Sequence, residues 1–171
     1  MKFRKLFLIL VATGAAVFLL LQLVPYGRAH NNPPVVAEPN WDSPQTRELA
    51  QRACFDCHSN ETTWPWYTNI APVSWLTQRH VIEGREHLNF SDWNQSHEGH
   101  EDGDHEAEEM GETVLEGEMP IRNYLLTHPE ARLTDAERAA LADGLAATAE
   151  RSPVTGAAGD HAADEAHEEG E

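Results

Sequence analysis

The chain's only two cysteines stand three positions apart and run straight into a histidine: Cys54-Phe55-Asp56-Cys57-His58. The spacing Cys-x-x-Cys-His is the attachment signature of c-type haem. Each thiol can form a thioether to one porphyrin vinyl group, and the adjacent imidazole then lies under the iron as its proximal ligand. A fold built on this motif must wrap a large flat group, which supplies the apolar core that a small domain otherwise lacks. Two other readings are weaker. A redox-active dithiol usually follows a strand and opens a helix, where the macrodipole lowers the thiol pKa; here the pair sits at the end of a predicted helix, which raises it. A structural zinc site wants four ligands, often two Cys-x-x-Cys pairs, and only one pair exists.

Export fits the cysteine chemistry, since two free thiols in an oxidising compartment would otherwise pair and haem attachment consumes both, and the N-terminus provides for it. Met1-Lys2-Phe3-Arg4-Lys5 precedes an uncharged apolar run from Leu6 to Val24, about as long as the ~20 residues that span a bilayer as a helix. The basic residues ahead of it place the N-terminus in the cytoplasm by the positive-inside rule. The expectation is a single-pass bacterial inner-membrane protein with residues after Tyr26 in the periplasm. A cleavable signal peptide is the competing reading. Against it, the run is longer than a usual h-region, and Pro25 to His30 lacks a clear small-x-small cleavage site. No cysteine ends the run, which excludes a lipoprotein anchor.

The formal charge of −17 is unevenly spread: residues 97–118 hold ten acids and residues 152–171 six, with no Lys or Arg in either. Such a surface repels nucleic acid and anionic headgroups. It fits a redox protein partner with a basic docking patch, in an association that weakens with salt.

The predicted organisation is a membrane anchor over residues 1–25, an extended linker over 26–42, a helical domain over 43–151 and a disordered acidic tail over 152–171. Ser43 and Pro44 start the first domain helix, with Leu49, Ala50 and Ala53 on its apolar face. Pro72 opens a second helix running to about Leu88. Residues 97–111, rich in His and acids, read as a solvated loop. A short helix follows over Ile121 to His128. Thr134 and Glu137 form a capping box for the last helix, whose buried face carries Leu141 and Leu145. No convincing strand occurs, so the fold class is all-α.

The sixth iron position has two main candidates. Met119, fixed in direction by Pro120, is the first choice. His80, on one helical face with Val73 and Leu76, is the second, although a lone His on such a face is more often a hydrogen-bonded core residue. Met110 sits at the edge of the acidic loop and is expected in solvent. His128 is expected to cap the carbonyls of its own helix. Trp64, Trp66, Tyr67 and Trp75 are candidates for haem packing, with Trp93 as core or haem edge. Arg79 and Arg85 could reach the propionates, but surface roles fit an acidic domain better. His97, His100 and His105, like His161 and His167, lie among carboxylates without a rigid element to set metal geometry, so a solvated segment is the better reading.

Several separated blocks match one family in order. Cys54 to Asn60, Trp64-Pro65-Trp66-Tyr67, Ile70 to Leu76, and His80 to Phe90 resemble the bacterial haem-binding domain family with one Cys-x-x-Cys-His motif. Gly117-Glu118-Met119-Pro120, Tyr124 and His128 resemble its second block, and Val24-Pro25-Tyr26-Gly27-Arg28 its membrane-proximal leader. The second block is also similar to class I cytochromes c, where a Met before Pro ligates iron and the C-terminal helix crosses the N-terminal one. The resemblance implies a cytochrome c-like domain around one covalent haem c. The insert at 97–111 looks longer than the family's usual connection. The function expected is one-electron transfer, with no enzyme activity and no small-molecule substrate. A haem sensor with a displaceable sixth ligand is the alternative, and a peroxidase-like enzyme a more distant one.

Overall fold

The computed structural model describes residues 2–96 and 103–152. Among these the regular elements are helical. There is no strand, only an isolated parallel bridge between Ala37 and Asp92, and the all-α expectation holds.

Helix α1, Lys2–Leu21, is exposed along its length, and its 20 residues, with a mean hydropathy of 2.1 over an 18-residue window, make it long and apolar enough to cross a membrane. It does not lead into a free linker. The Gln22 side chain donates to the Ala71 carbonyl at 2.9 Å and accepts from the Ala71 amide at 3.0 Å. Gly27, at φ +80°, lies so close to Ser74 that a Cβ would stand 2.2 Å from its carbonyl oxygen. Residues 26–42 are extended as expected, but docked: the Val36 amide donates to Ser91, and the Trp93 amide to Ala37.

Helix α2, Pro44–Ala53, begins where the sequence predicts. The Ser43 hydroxyl caps it by accepting from the Thr46 amide, and Thr46, Leu49, Ala50 and Ala53 are buried. A four-residue helix α3, Phe55–His58, follows at once, because Cys54 both closes α2 on Ala50 and opens α3 to the His58 amide. Helix α4, Val73–His87, follows Pro72. Helices α5, Trp93–Ser96, and α6, Gly103–Leu115, come next. Helix α7, Asp135–Arg151, carries the predicted capping box. It crosses α2 where Gly144 meets Thr46; a Cβ at 144 would lie 2.2 Å from the Thr46 Oγ1. Leu49, Phe55, Phe90, Trp93, Val114, Leu141 and Leu145 form one buried cluster, with Trp41 packed against it. Its aromatic heart is Phe90, 5.6 Å from Phe55, 6.1 Å from Trp93 and 5.1 Å from Trp41 between ring centres.

Two expectations fail here. From Gly103 onward the segment read as a solvated loop is helix α6. Its C-terminal half supplies the reason: Met110 and Val114, one turn apart, pack on the core, and Gly111 faces Ala142 of α7. The helix expected over Ile121 to His128 is instead a single 3-10 turn, Tyr124–Leu126, with a second, Pro129–Ala131, just beyond it. Pro120 and Pro129 bound a stretch too short to nucleate an α-helix, and Asn123 caps the Tyr124 amide to start a tight turn. His97, His100, His161 and His167 lie outside the described residues; His105 falls within α6.

Candidate functional site

The α2–α3 junction places Cys54, Cys57 and His58 on the wall of a cavity of about 620 Å³. His80, Gly84 and His87 of α4, Met110 and Val114 of α6, Met119, Ile121 and Tyr124 of the following segment, and Leu145 of α7 complete it. Cys54, Cys57, His58, Met119 and His80, separated by up to 65 residues of chain, thus face one space.

The two thiols are free and half-buried. Burial pushes Cys54 up to about 12, with Cys57 adding to it. Burial pushes Cys57 up to about 11, reinforced by the Asp56 charge. Thiols held protonated in this way make a poor redox dithiol. Among the described residues no group of three or more His, Cys, Asp and Glu is placed to hold a metal ion, so a zinc site gains no support.

His58 is held from two sides by one strip of chain. Its Nδ1 lies 3.1 Å from the Leu88 carbonyl, and its own carbonyl accepts from the Phe90 amide at 2.8 Å. Burial lowers its pKa, against the opposing effect of bonds to the Leu88 and Gly84 carbonyls. A neutral ring bonded through Nδ1 keeps Nε2 for a metal, the arrangement that orients a ligating histidine. Gly84 makes this approach fit: a Cβ there would stand 2.5 Å from the Cys57 carbonyl oxygen.

Met119 reaches the cavity through the end of α6. Gly117, at φ +74°, turns the chain after Leu115, as glycine does beyond a helix C-terminus. The amides of Glu118 and Met119 then both donate to Thr113. Met110, expected in solvent, lines the same cavity and packs on the core. Its i, i+4 relation to Val114 is the signal that reveals this placement.

The predicted aromatic wall is largely elsewhere. Trp64 stacks on His30 with ring centres 4.6 Å apart and donates to Asn32. Trp66 is exposed, and Trp75 is half-buried on α4; none of the three lines the cavity. The 3-10 turn Trp66–Asn69 sends neighbouring rings apart, with Trp66 and Tyr67 edge-on at 76°. Tyr67 lines an adjoining cavity of about 370 Å³, shared with Val73, Leu76, His80 and Tyr124. Trp93 belongs to the core.

The Tyr124 hydroxyl donates to Asp56 inside the haem motif at 2.8 Å. Burial first, then the Asp56 charge, raises the Tyr124 pKa. The His128 ring stacks on Tyr124 at 3.9 Å and its Nδ1 meets the Tyr124 carbonyl, the local capping role expected of it. This latch joins the Met119 segment to the Cys54–His58 segment. Arg79 pairs with Glu83 on the surface. Arg85 is a clamp rather than a surface group: it donates to Ser59, Asn31, Asn32 and Thr62.

Two thiols, an imidazole oriented by a carbonyl and a thioether, set in an apolar cavity, form a donor set that fits haem. Residues 16–147 match the family described as haem-binding domain. No curated protein and no solved structure matches the chain.

Proposed function

The chain belongs to the haem-binding domain family and binds haem; from that premise we propose that it is a membrane-anchored, periplasm-facing monohaem c-type cytochrome of cytochrome c-like architecture that carries single electrons. The observation that carries this reading is the convergence of Cys54, Cys57, His58 and Met119 on one cavity. Haem bound there supplies one-electron cycling between ferric and ferrous iron. Cys54 and Cys57 would hold it by thioethers. His58 presents Nε2, with its ring angle set by Leu88. Met119 presents a thioether from a segment pinned to Thr113 and latched by Tyr124 to Asp56. Phe90, Val114, Ile121 and Leu145 give the cavity apolar wall for the porphyrin to pack against. A thioether in the sixth position raises the potential relative to a second imidazole. With His58 and Met119 both on the iron, outside ligands would be kept away, which would favour electron transfer over substrate chemistry. The acidic surface then favours a basic redox partner.

The test compares redox spectra and potentials of the wild type with Met119→Ala and His80→Ala. Met119→Ala is expected to lose the thioether–iron charge-transfer band and lower the potential, while His80→Ala leaves both. An unchanged potential in Met119→Ala moves ligation to His80 or Met110, which line the same cavity. That outcome, with fast complete carbon monoxide binding by the reduced protein, favours a sensor with a displaceable ligand. The double variant Cys54→Ala with Cys57→Ala tests covalent attachment: haem that stays with this variant through acid–acetone extraction overturns it.

A further inference from the structure

Three stretches of this chain carry no carboxylate at all: residues 1–37, 62–82 and 119–129. In a chain with 29 acidic residues and a net charge of −17, such gaps stand out. The fold gathers all three. Gln22, just past α1, is bonded to Ala71. His30 stacks on Trp64 and bonds Thr68. The Tyr67 hydroxyl donates to Thr127 at 3.2 Å. Beyond α1, the only Lys or Arg side chains in these stretches are Arg28, Arg79 and Arg122. Of the carboxylates beside them, Asp56 is bonded to Tyr124 and Glu83 is paired with Arg79, while Glu61 and Glu130 stand exposed at the edges of the face.

The same stretches expose the domain's most open large apolar side chains. Trp66 is 76% and Leu126 78% exposed, each next to one member of the Tyr67–Thr127 bond. Val73 and Leu76, also partly exposed, line the cavity beside that bond, and Leu23 and Tyr26 continue the surface back to α1.

We propose that this face is a lipid-docking surface, with the domain lying down on the outer leaflet of the bilayer that holds α1. The proposal rests on the anchor reading of α1. Trp66 enters the interface, where tryptophan is favoured, and Leu126 enters beside it. The missing carboxylates remove the repulsion that the rest of the chain would meet at anionic headgroups. Because Gln22 fixes α1 to Ala71, the face is held at the membrane and needs little affinity of its own.

The experiment uses the full haem-loaded chain in nanodiscs of phosphatidylcholine and phosphatidylglycerol. A trace lipid carries a photoreactive group at the glycerol level, and adducts are mapped by mass spectrometry. Adducts are expected on α1 and on peptides spanning residues 62–79 and 123–132, with few on residues 133–151. Replacing both residues, Trp66→Asp with Leu126→Asp, is expected to cut adducts on the two domain peptides by about fivefold. The α1 adducts and the haem spectrum are expected to stay as in the wild type. Labelling of α1 with no excess on 62–79 and 123–132 over 133–151 overturns the lipid face, leaving it to a protein partner. Absence of α1 adducts overturns the anchor reading, and the docking surface with it.

Discussion

Gly84→Ala places a methyl group where the helix that backs the haem motif touches it. The added Cβ would stand 2.5 Å from the Cys57 carbonyl oxygen, 3.0 Å from its carbon and 3.1 Å from the Cys57 Cβ. Two of these atoms are backbone, so no rotamer change relieves them, and α4 must move off the motif. Alanine gains about 1 kcal/mol over glycine in a helix interior. Overpacking a tight contact costs about 1–3 kcal/mol, and contact with backbone puts this site at the upper end, for a net loss of about 2 kcal/mol. At about 4–8 °C per kcal/mol for a domain of this size, Tm falls by roughly 8–16 °C. Gly111→Ala is the control. Its Cβ would lie 3.4 Å from the Ala142 carbonyl, an ordinary contact, so helix propensity alone should act and stabilise by about 0.5–1 kcal/mol. Guanidinium and thermal unfolding of both variants as holoprotein measure the two signs. The Leu88 bond to His58 also depends on where α4 lies, so the Gly84 variant should shift the reduction potential while the Gly111 variant should not. A Gly84→Ala protein as stable as wild type refutes the claim that this glycine sets the approach.

At the other close crossing, Gly144→Ala drives a Cβ to within 2.2 Å of the Thr46 Oγ1 and is expected to lose about 1–3 kcal/mol in the same unfolding assay. Arg85→Lys cannot reproduce four bonds made by a planar fork and should cost about 2 kcal/mol, read by denaturant midpoint. Tyr124→Phe removes the hydroxyl donor from the Asp56 Oδ2, leaving only the Thr63 amide on Oδ1, and should cost about 1–2 kcal/mol. If the latch holds the Met119 segment, that variant also weakens the thioether–iron band. Glu137 is held down to about 2 from its ordinary 4.5, first by the Thr134 amide and then by Arg52. Its contribution to stability is therefore present above pH 4.5 and lost as pH falls towards 2. Glu137→Gln should flatten that part of an acid-unfolding curve.

Helix ends were written in the local sequence. Ser43-Pro44 and Thr134 with Glu137 satisfy orphan amides within three residues, so no tertiary knowledge is needed to place them. The residues expected around the iron, Cys54, Cys57, His58, Met119 and His80, do line one cavity, because haem chemistry narrows the residue types to look for. Their neighbours were not legible. The Trp64–Tyr67 cluster looked like a haem wall by composition, but a 3-10 turn fans those rings apart, and the wall comes from Phe90, Val114 and Leu145. Helix α6 was hidden by its acids, which say nothing about a partner; only Met110, Gly111 and Val114 betray the side that meets α7. Arg85 was misjudged because its acceptors come from Asn31, Asn32, Ser59 and Thr62, none near it in sequence.

The pair of hydrogen bonds between Gln22 and Ala71 has a kinetic consequence if α1 stays in a bilayer. A redox carrier on a long flexible leash sweeps a volume and can reach partners well away from its anchor. Here the leash has zero slack. The haem edge travels only as fast as the helix diffuses sideways, at one height and in one attitude. Encounters with other membrane proteins become a search over a plane, while a partner in free solution must bring its own reach.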